Sequence, residues 1–311
     1  MTAVVPTLPT ERLAAVSGLL REIGDLKRVR VAHAPGSVAQ RSFVRAWSAL
    51  VAGADQARVA AAECAAALAG ARLAGVDAAV LLRCGLQADD VVEILGRAVE
   101  EVAGGLHPVT VARARAALPD LVADAAGPRP EAPLPAFVRD LCCQPRAGAT
   151  APGRPRLIVE PPEDHAEHCW TVGVYGALLA EDLGADHGEA FLLGLAHHLH
   201  NAGLPDAGFA GDTLLGAYLE PLVERLTERE LATLPALLSL RTRALLKRRA
   251  DAETAVGRAF HAADVLDRVL QVHHHARAAG FTADQALVDL ELVHPGPVTP
   301  YQHTVLAAAG L

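Results

Sequence analysis

Apolar residues recur at helical spacing through much of the chain. One such stripe, near the start of the C-terminal half, consists of His168, Val172, Tyr175 and Leu179. Because His168 continues an apolar stripe, its side chain should point into a core. The later segment AFLLGLA is apolar nearly all round, and long alanine-rich stretches lack runs of β-branched residues. These features favour helix over sheet, and the pattern predicts an all-α protein.

Capping signals predict where the helices of the C-terminal half begin and end. Capping boxes are predicted at Asp164/Glu167, Asp186/Glu189 and Thr227/Glu230. Predicted C-terminal stops are Gly184, Gly203 and Gly280. The predicted helices span 164–183, 187–202, 213–226, 228–249, 252–279 and 283–293.

Composition divides the chain near its middle. Residues 127–162 are dense in proline and glycine and are predicted to form a linker. We therefore predict an N-terminal helical region at 1–126, this linker, and a second helical domain at 163–311. All but two of the 14 histidines follow the linker, so the chemistry is expected in the C-terminal half.

Charge and cysteine content exclude several functional classes. The net charge of −8 provides no basic footprint, so general nucleic-acid binding is not expected. The chain starts without a basic leader and apolar core, and charged residues interrupt the alanine-rich segment 57–82, so neither export nor a membrane span is indicated. The five cysteines lack CxxC spacing and predict neither a disulfide framework nor a zinc ribbon. These features together predict a protein of the reducing cytoplasm.

Three histidines are crowded into the sequence AHHLHNAG. His197 and His200 are three positions apart and share a helical face, whereas His198 lies about 100° away. Imidazoles crowded at the end of a buried helix are hard to explain by packing, and they favour a metal site. With His168 upstream and Asp264 downstream, three separate helices would contribute ligands.

The order of these residues resembles the HD-domain superfamily of metal-dependent phosphohydrolases. Its signature is a histidine, a His-Asp dipeptide and a late aspartate, and the resemblance covers residues 164–270. The segment AEHCWTVGVYGALLAEDLG is similar to the first helix of the 5'-deoxynucleotidase-like branch. The resemblance implies an all-α hydrolase with His168, His197 and Asp264 as metal ligands. His198 replaces the aspartate of the dipeptide and is assigned as a ligand only by its position.

A second pattern concerns the same histidines. HHLHNAGLPD has the spacing of the HD-x-G-K-x-x-x-P-D motif of HD-GYP cyclic-dinucleotide phosphodiesterases, and Asp206 matches its final aspartate. His200 and Asn201 replace the Gly-Lys pair, and the GYP segment with its additional histidines is absent from the sequence. A cyclic-dinucleotide phosphodiesterase is therefore not expected.

The N-terminal region contains a weaker similarity to the nucleotidase-like branch. The LKR sequence at 26–28 is similar to the opening of that branch, but Arg41 stands where its first histidine is expected. A degenerate HD-like repeat is one hypothesis for this region. An unrelated helical bundle is the other.

The histidine at position 198 changes the expected chemistry. Three neutral imidazoles and one carboxylate cancel less of a metal's charge than two histidines and two aspartates, so a bound water should become more acidic. This donor set favours Mn²⁺, Fe²⁺, Co²⁺ or Zn²⁺ over Mg²⁺. Asp206 or Asp212 would supply the base. His200, like His261, is expected to be a ligand, a partner of a ligand or a substrate contact.

Three functions remain open from the sequence. The first is a metal-dependent hydrolase that cleaves a phosphate ester of a small molecule, such as a nucleotide or a sugar phosphate, with Asp206 and His200 as catalytic residues. The second is an HD-type iron oxygenase. The third is a catalytically degenerate ligand-binding or scaffold protein. The basic residues within 241–249 are interpreted as a solvated helix face, with phosphate contact as the alternative.

Overall fold

Helices account for nearly all regular structure in the computed structural model, which describes residues 10–127, 133–249, 251–279, 282–289 and 291–311. The all-α prediction is confirmed. None of the described helices combines the length and the apolar character that a membrane crossing requires.

The elements follow one another with short connections. The N-terminal part contains α1 (Thr10–Asp25), β1 (Arg30–Val31), β2 (Ala34–Ser37), α2 (Val38–Val51), α3 (Gln56–Leu73), α4 (Ala78–Arg83), α5 (Ala88–Val102) and α6 (Pro108–Ala126). The C-terminal part contains α7 (Ala136–Cys143), α8 (His165–Leu183), α9 (His187–Ala196), α10 (Gly208–Leu215), α11 (Leu219–Leu231), α12 (Ala236–Lys247), α13 (Ala255–Ala279) and α14 (Thr299–Ala309). Short 3-10 turns occur at Ala103–Gly105, Leu199–Ala202 and Gly216–Tyr218, and a π turn at Gln285–Asp289. Strands β1 and β2 pair antiparallel.

Helices α8 and α9 pack with their backbones in close contact. The predicted capping box at the start of α8 is confirmed: Asp164 accepts from the Glu167 N–H, and the Glu167 carboxylate accepts from the Asp164 N–H. The helix ends at Gly184, whose φ of 69° lies in the left-handed region that glycine favours. A Cβ at Gly194 of α9 would lie 2.5 Å from Cα of Gly173 in α8. Glycine at both positions therefore permits this close crossing.

The structure corrects several helix boundaries. The predicted helix 187–202 ends with α9 at Ala196, and the following histidines lie in and beside a 3-10 turn. Thr227 lies inside α11 and does not cap a helix. Helix α12 begins after Pro235, because proline has no N–H and its ring clashes with a preceding helical turn.

The end of the chain also departs from the predicted pattern. The described part of 283–293 contains the short π turn in place of a full helix. Gly280, predicted as a helix stop, lies outside the described residues.

The two halves of the chain share one hydrophobic core. Helix α3 packs against α8 and α9, and α2 packs against α8. Trp47, Phe137 and Trp170 are fully buried in this core, and the rings of Trp47 and Phe137 meet edge to face at 5.0 Å. The predicted linker at 127–162 includes α7. The three-part division of the chain stays a prediction.

An irregular segment, the strap, connects α7 to α8 across residues 144–164. Two isolated β-bridges hold it, Pro145 to Asp164 and Ala149 to Leu157. The strap carries Arg146 close to the start of α8. There the backbone N–H of Arg146 donates to the carbonyl of Glu163. It therefore brings a cation to the end of the α8–α9 pair.

Candidate metal centre

Three helices bring predicted ligands next to His168. His168 comes from α8, His197 ends α9 and Asp264 comes from α13. The two Nε2 atoms of His168 and His197 lie 3.1 Å apart, and Oδ1 of Asp264 lies 3.3 Å from Nε2 of His168. Both histidines are buried. Nε2 of His168 thus lies within 3.3 Å of both a second imidazole and a carboxylate, while the cluster in which three ligand atoms lie close together is His168, His197 and His198.

The Nδ1 atoms of His168 and His197 both donate to hydrogen-bond acceptors. Nδ1 of His168 donates to Oδ2 of Asp267 at 2.7 Å, and Nδ1 of His197 donates to the Gly194 carbonyl at 2.6 Å. A neutral imidazole that is protonated at Nδ1 has a lone pair at Nε2. The two facing Nε2 atoms therefore cannot satisfy each other, and a cation between them would satisfy both.

The charge states suit a metal. Burial, followed by the neighbouring His168, holds the pKa of His197 well below its ordinary value, so its ring stays neutral. Burial acts to raise the pKa of Asp264, but the neighbouring Arg268 guanidinium opposes it, and this pKa lies well below its ordinary value. The donor set therefore contains neutral imidazole nitrogen and ionised carboxylate oxygen, which are the forms that bind metals.

The spacing of the donors also fits one ion. Ligand atoms about 2.0–2.2 Å from a common metal lie roughly 3 Å from one another. The separations from Nε2 of His168, 3.1 Å to His197 and 3.3 Å to Asp264, agree with this value. Imidazole and carboxylate donors suit Mn²⁺, Fe²⁺, Co²⁺ or Zn²⁺. The residues present therefore fit one divalent metal ion.

His198 lies beside these ligands, but both of its nitrogens have partners. Its ring centroid is 4.2 Å from that of His197, and its side chain belongs to the same cluster of potential metal ligands as His168 and His197. Nε2 of His198 accepts from Nη1 of Arg146 at 3.1 Å, and Nδ1 donates to Oδ1 of Asn201 at 2.7 Å. Its lone pair would reach a metal only after Arg146 moved. The assignment of His198 as a ligand stays a prediction.

Asp206, the predicted base, anchors the strap to the loop after α9. Oδ2 of Asp206 accepts from the Ala147 N–H and Oδ1 accepts from the Gly208 N–H, both at 2.9 Å. Oδ2 also lies 3.9 Å from Nε of Arg146 and 3.9 Å from Nε2 of His165. The Arg146 side chain thus lies between Asp206 and His198. The role of Asp206 as a base stays a prediction.

His165 is a further histidine beside this cluster, and it was not among the residues predicted from the sequence. It is fully buried, and neither ring nitrogen has a hydrogen-bond partner within the described part of the chain. Its ring centroid is 4.7 Å from that of His198. The available signal was its spacing, because His165 precedes His168 by three positions and shares its helical face.

His200 and His261 both present a buried nitrogen without a partner among the described residues. These atoms are Nδ1 of His200 and Nε2 of His261. Burial, then Arg249, lowers the pKa of His200 to about 4, so its ring is neutral near pH 7. His261 lies one helical turn before Asp264 on α13. Both rings retain unused hydrogen-bonding capacity near the centre.

A buried triad of charged residues, Lys27, Glu163 and Asp267, lies on the Nδ1 side of His168. Nζ of Lys27 lies 2.5 Å from Oδ1 of Asp267 and 2.5 Å from Oε1 of Glu163. Glu163, His168 and Asp267 form a second cluster of potential metal ligands, and the Lys27 ammonium already pairs with both of its carboxylates. Sequence reasoning missed this triad, although Asp267 follows Asp264 by three positions on one helix face.

The basic residues of α12 and its end do not share one role. Arg243 pairs with Glu228 on the surface, as expected for a solvated face. Nη1 of Arg249, in contrast, donates to the His197 carbonyl at 2.8 Å. From α13, Nε of Arg268 lies 3.4 Å from Oδ2 of Asp264. Two guanidinium groups therefore adjoin the predicted ligands.

The fold and the converging donors together define an all-α domain suited to one metal ion. A family model described as HD domain matches residues 141–288. This part of the chain belongs to the HD-domain superfamily, which confirms the resemblance seen in the sequence. The similarity to the 5'-deoxynucleotidase-like branch stays a prediction. The chain has no significant match among curated proteins or among solved structures.

Proposed function

We propose that the protein is a metal-dependent hydrolase that cleaves a phosphate ester of a small molecule, a nucleotide or a sugar phosphate. The observation that carries this proposal is the close approach of His197 and Asp264 to Nε2 of His168. Membership of the HD-domain superfamily supports the same class of reaction.

The chain's own residues have separate tasks in this reaction. His168, His197 and Asp264 would hold the metal, while Asp267 and the Gly194 carbonyl fix the two imidazole rings. A bound divalent metal supplies Lewis-acid activation of water and of a phosphoryl oxygen. In hydrolysis a P–O bond forms to water, the ester P–O bond breaks, and the leaving alcohol takes up a proton.

Arginine side chains beside the centre suit a phosphate dianion. Arg146, Arg249 and Arg268 contact His198, His197 and Asp264 respectively. Guanidinium groups bind phosphate oxygens through charge-assisted hydrogen bonds. A phosphate group between these arginines would therefore be oriented toward the metal ligands.

Asp206 and His200 are the proposed catalytic residues. Asp206 is held by backbone N–H groups near Arg146, so it stays oriented while it accepts a proton from water. The free Nδ1 of His200 supplies a contact for the substrate. In this proposal the partner is a phosphorylated metabolite of the cytoplasm, and no nucleic acid or membrane takes part.

Phosphate release tests the proposed reaction. The purified protein, loaded with Mn²⁺ or Zn²⁺, would be incubated anaerobically with a panel of nucleoside monophosphates and sugar phosphates. We expect chelator-sensitive release of inorganic phosphate, and no release by Asp264→Asn. Release by this variant at the wild-type rate would reject the site. In a parallel aerobic incubation, turnover that requires Fe²⁺ and O₂ would instead indicate the oxygenase.

The contact between Arg146 and His198 favours a second candidate function. A cation that occupies the lone pair of His198 could leave a domain that binds a phosphorylated ligand without turnover. Under this alternative, the same panel gives tight binding in calorimetry and no product. Arg146→Met would then weaken binding, whereas a hydrolase would lose turnover as well.

A further inference from the structure

The metal centre is connected to the N-terminal half of the chain through Lys27. This side chain is buried, and its ammonium contacts Asp267 and Glu163. Asp267 uses its other oxygen, Oδ2, to accept from Nδ1 of His168. A continuous path therefore runs from Lys27 through Asp267 to Nδ1 of His168, on the opposite side of the ring from the proposed ligand atom Nε2.

The turn that carries Lys27 is fixed against the C-terminal helices. At Gly24, one turn earlier, a Cβ would lie 2.9 Å from Oη of Tyr175, so glycine allows α1 to approach α8 closely. The Tyr175 hydroxyl donates to the Leu20 carbonyl. Next to Lys27, Arg28 donates to Gln271 of α13. These contacts position the Lys27 backbone independently of its ammonium group.

The charge of Lys27 is matched to its surroundings. Burial alone would lower the pKa of Lys27, but Asp267 and then Glu163 raise it above 10.5, so the group is an ammonium ion. Its two anionic partners are held at 2.5 Å. A metal ion in the cluster of Glu163, His168 and Asp267 would have to displace this ammonium. The triad is therefore complete without a second metal.

We propose that Lys27 is a positioning residue of the metal centre, which holds Asp267 against Nδ1 of His168 and so directs the His168 Nε2 lone pair toward the metal. The proposal rests on the metal centre of the proposed function. Partners that orient a ligating histidine typically contribute about 10–100-fold to metal affinity. The N-terminal half therefore supplies part of the centre in the C-terminal half.

Metal affinity and the His168 tautomer test this role in the full chain. Binding of Mn²⁺ and Zn²⁺ would be measured by competition with a chromophoric chelator. We expect Lys27→Met to weaken binding about 10–100-fold, and Lys27→Arg to restore part of the loss because it retains a cation. In the metal-free protein, ¹⁵N spectra of His168 should show the Nδ1-protonated form in wild type and a mixture in Lys27→Met.

Arg12→Met is the matched control, because it removes a cation of α1 that pairs with Asp182 and contacts neither Asp267 nor Glu163. We expect its metal affinity and His168 tautomer to match the wild type. If Lys27→Met does not fold, the double variant Lys27→Met/Glu163→Gln removes one charge of each sign and should show the same two effects.

Two results would overturn the role of Lys27. One is unchanged metal affinity in a folded variant that lacks Lys27. The other is an unchanged His168 tautomer in the same variant. If the wild-type protein binds no metal, the proposed function fails, and the tautomer measurement in the metal-free chain alone decides the role of Lys27.

Discussion

Nε2 of His168 faces Nε2 of His197 at 3.1 Å, while each ring donates its Nδ1 proton to a different acceptor. Two lone pairs at this distance, beside an ionised Asp264, form a site that attracts a cation. Loss of any one of these three side chains would therefore leave the other two with fewer donors to share a cation.

Metal content tests the three converging residues directly. We expect about one transition-metal ion per chain, lost in His168→Ala, His197→Ala and Asp264→Ala, because each removes one of few ligands. Elemental analysis of protein purified without an affinity tag measures this stoichiometry. His303→Ala is the control, since His303 is exposed on α14. Full metal content in all three ligand variants would refute the assignment.

The unusual dipeptide gives a second prediction. His198→Asp should restore the superfamily pattern, add a carboxylate beside Arg146 and shift metal preference toward Mg²⁺ or Mn²⁺. Competition binding with Mg²⁺, Mn²⁺ and Zn²⁺ measures the preference. Identical selectivity in the variant and the wild type would show that position 198 does not face the metal.

Acid should destabilise the metal-free protein through its buried histidines. The pKa of His200 is about 4 in the folded chain because of burial, then Arg249, and about 6.5 in the unfolded chain. Its contribution to stability is therefore present above pH 6.5 and is lost as the pH falls toward 4. We expect unfolding by urea in chelator to show a loss of about 1–2 kcal/mol per such histidine between pH 7 and pH 5. The loss should be smaller in His200→Gln, and an equal loss there would contradict the assignment.

Asp206 can be tested separately from metal binding. If Asp206 accepts the proton of the attacking water, Asp206→Asn should lower kcat by about 10²–10⁴-fold while metal content stays at the wild-type level. Steady-state phosphate release and elemental analysis on the same preparation separate the two properties. Wild-type kcat in Asp206→Asn would leave the hydrolase intact and assign Asp206 to anchoring the strap.

The crossing of α8 and α9 should be intolerant of any side chain. In Gly194→Ala the new Cβ would lie 2.5 Å from Cα of Gly173, so the helices must separate. We expect a loss of about 1–3 kcal/mol in the free energy of unfolding, measured by urea denaturation, and weaker metal binding. The control is Gly18→Ala, an exposed site within α1 with no atom near its Cβ position, which should gain about 0.5–1 kcal/mol. Equal stabilities of the two variants would contradict the packing argument.

The sequence was informative where a residue's neighbours along the chain determine its environment. The apolar stripe and the capping box at Asp164 correctly predicted helix α8 and the inward direction of His168. The order of the histidines and Asp264 correctly indicated the superfamily.

Other parts of the site depend on contacts that no local pattern encodes. Arg146 lies in the irregular strap, where hydrophobic periodicity gives no orientation, so its contact with His198 was not foreseen. Lys27 and Asp267 are 240 positions apart, and each taken alone resembles an ordinary charged residue near a helix. Pro235 carried a usable signal, since proline cannot continue a helix, but the predicted helix 228–249 ran through it.

The separation between Lys27 and Asp267 has a consequence for biosynthesis. A ribosome must deliver the 240 residues that separate these two side chains before they can meet, because Asp267 lies in α13 and Lys27 follows α1. Contacts between such distant segments form late. The entropy cost of closing so long a loop is offset only after the intervening helices have packed. Nascent chains that lack α13 therefore expose the histidines of α8 and α9 without their carboxylate partners. Full metal affinity should appear only after synthesis has passed α13, so that loading with metal marks a chain in which α13 has packed against α8 and α9.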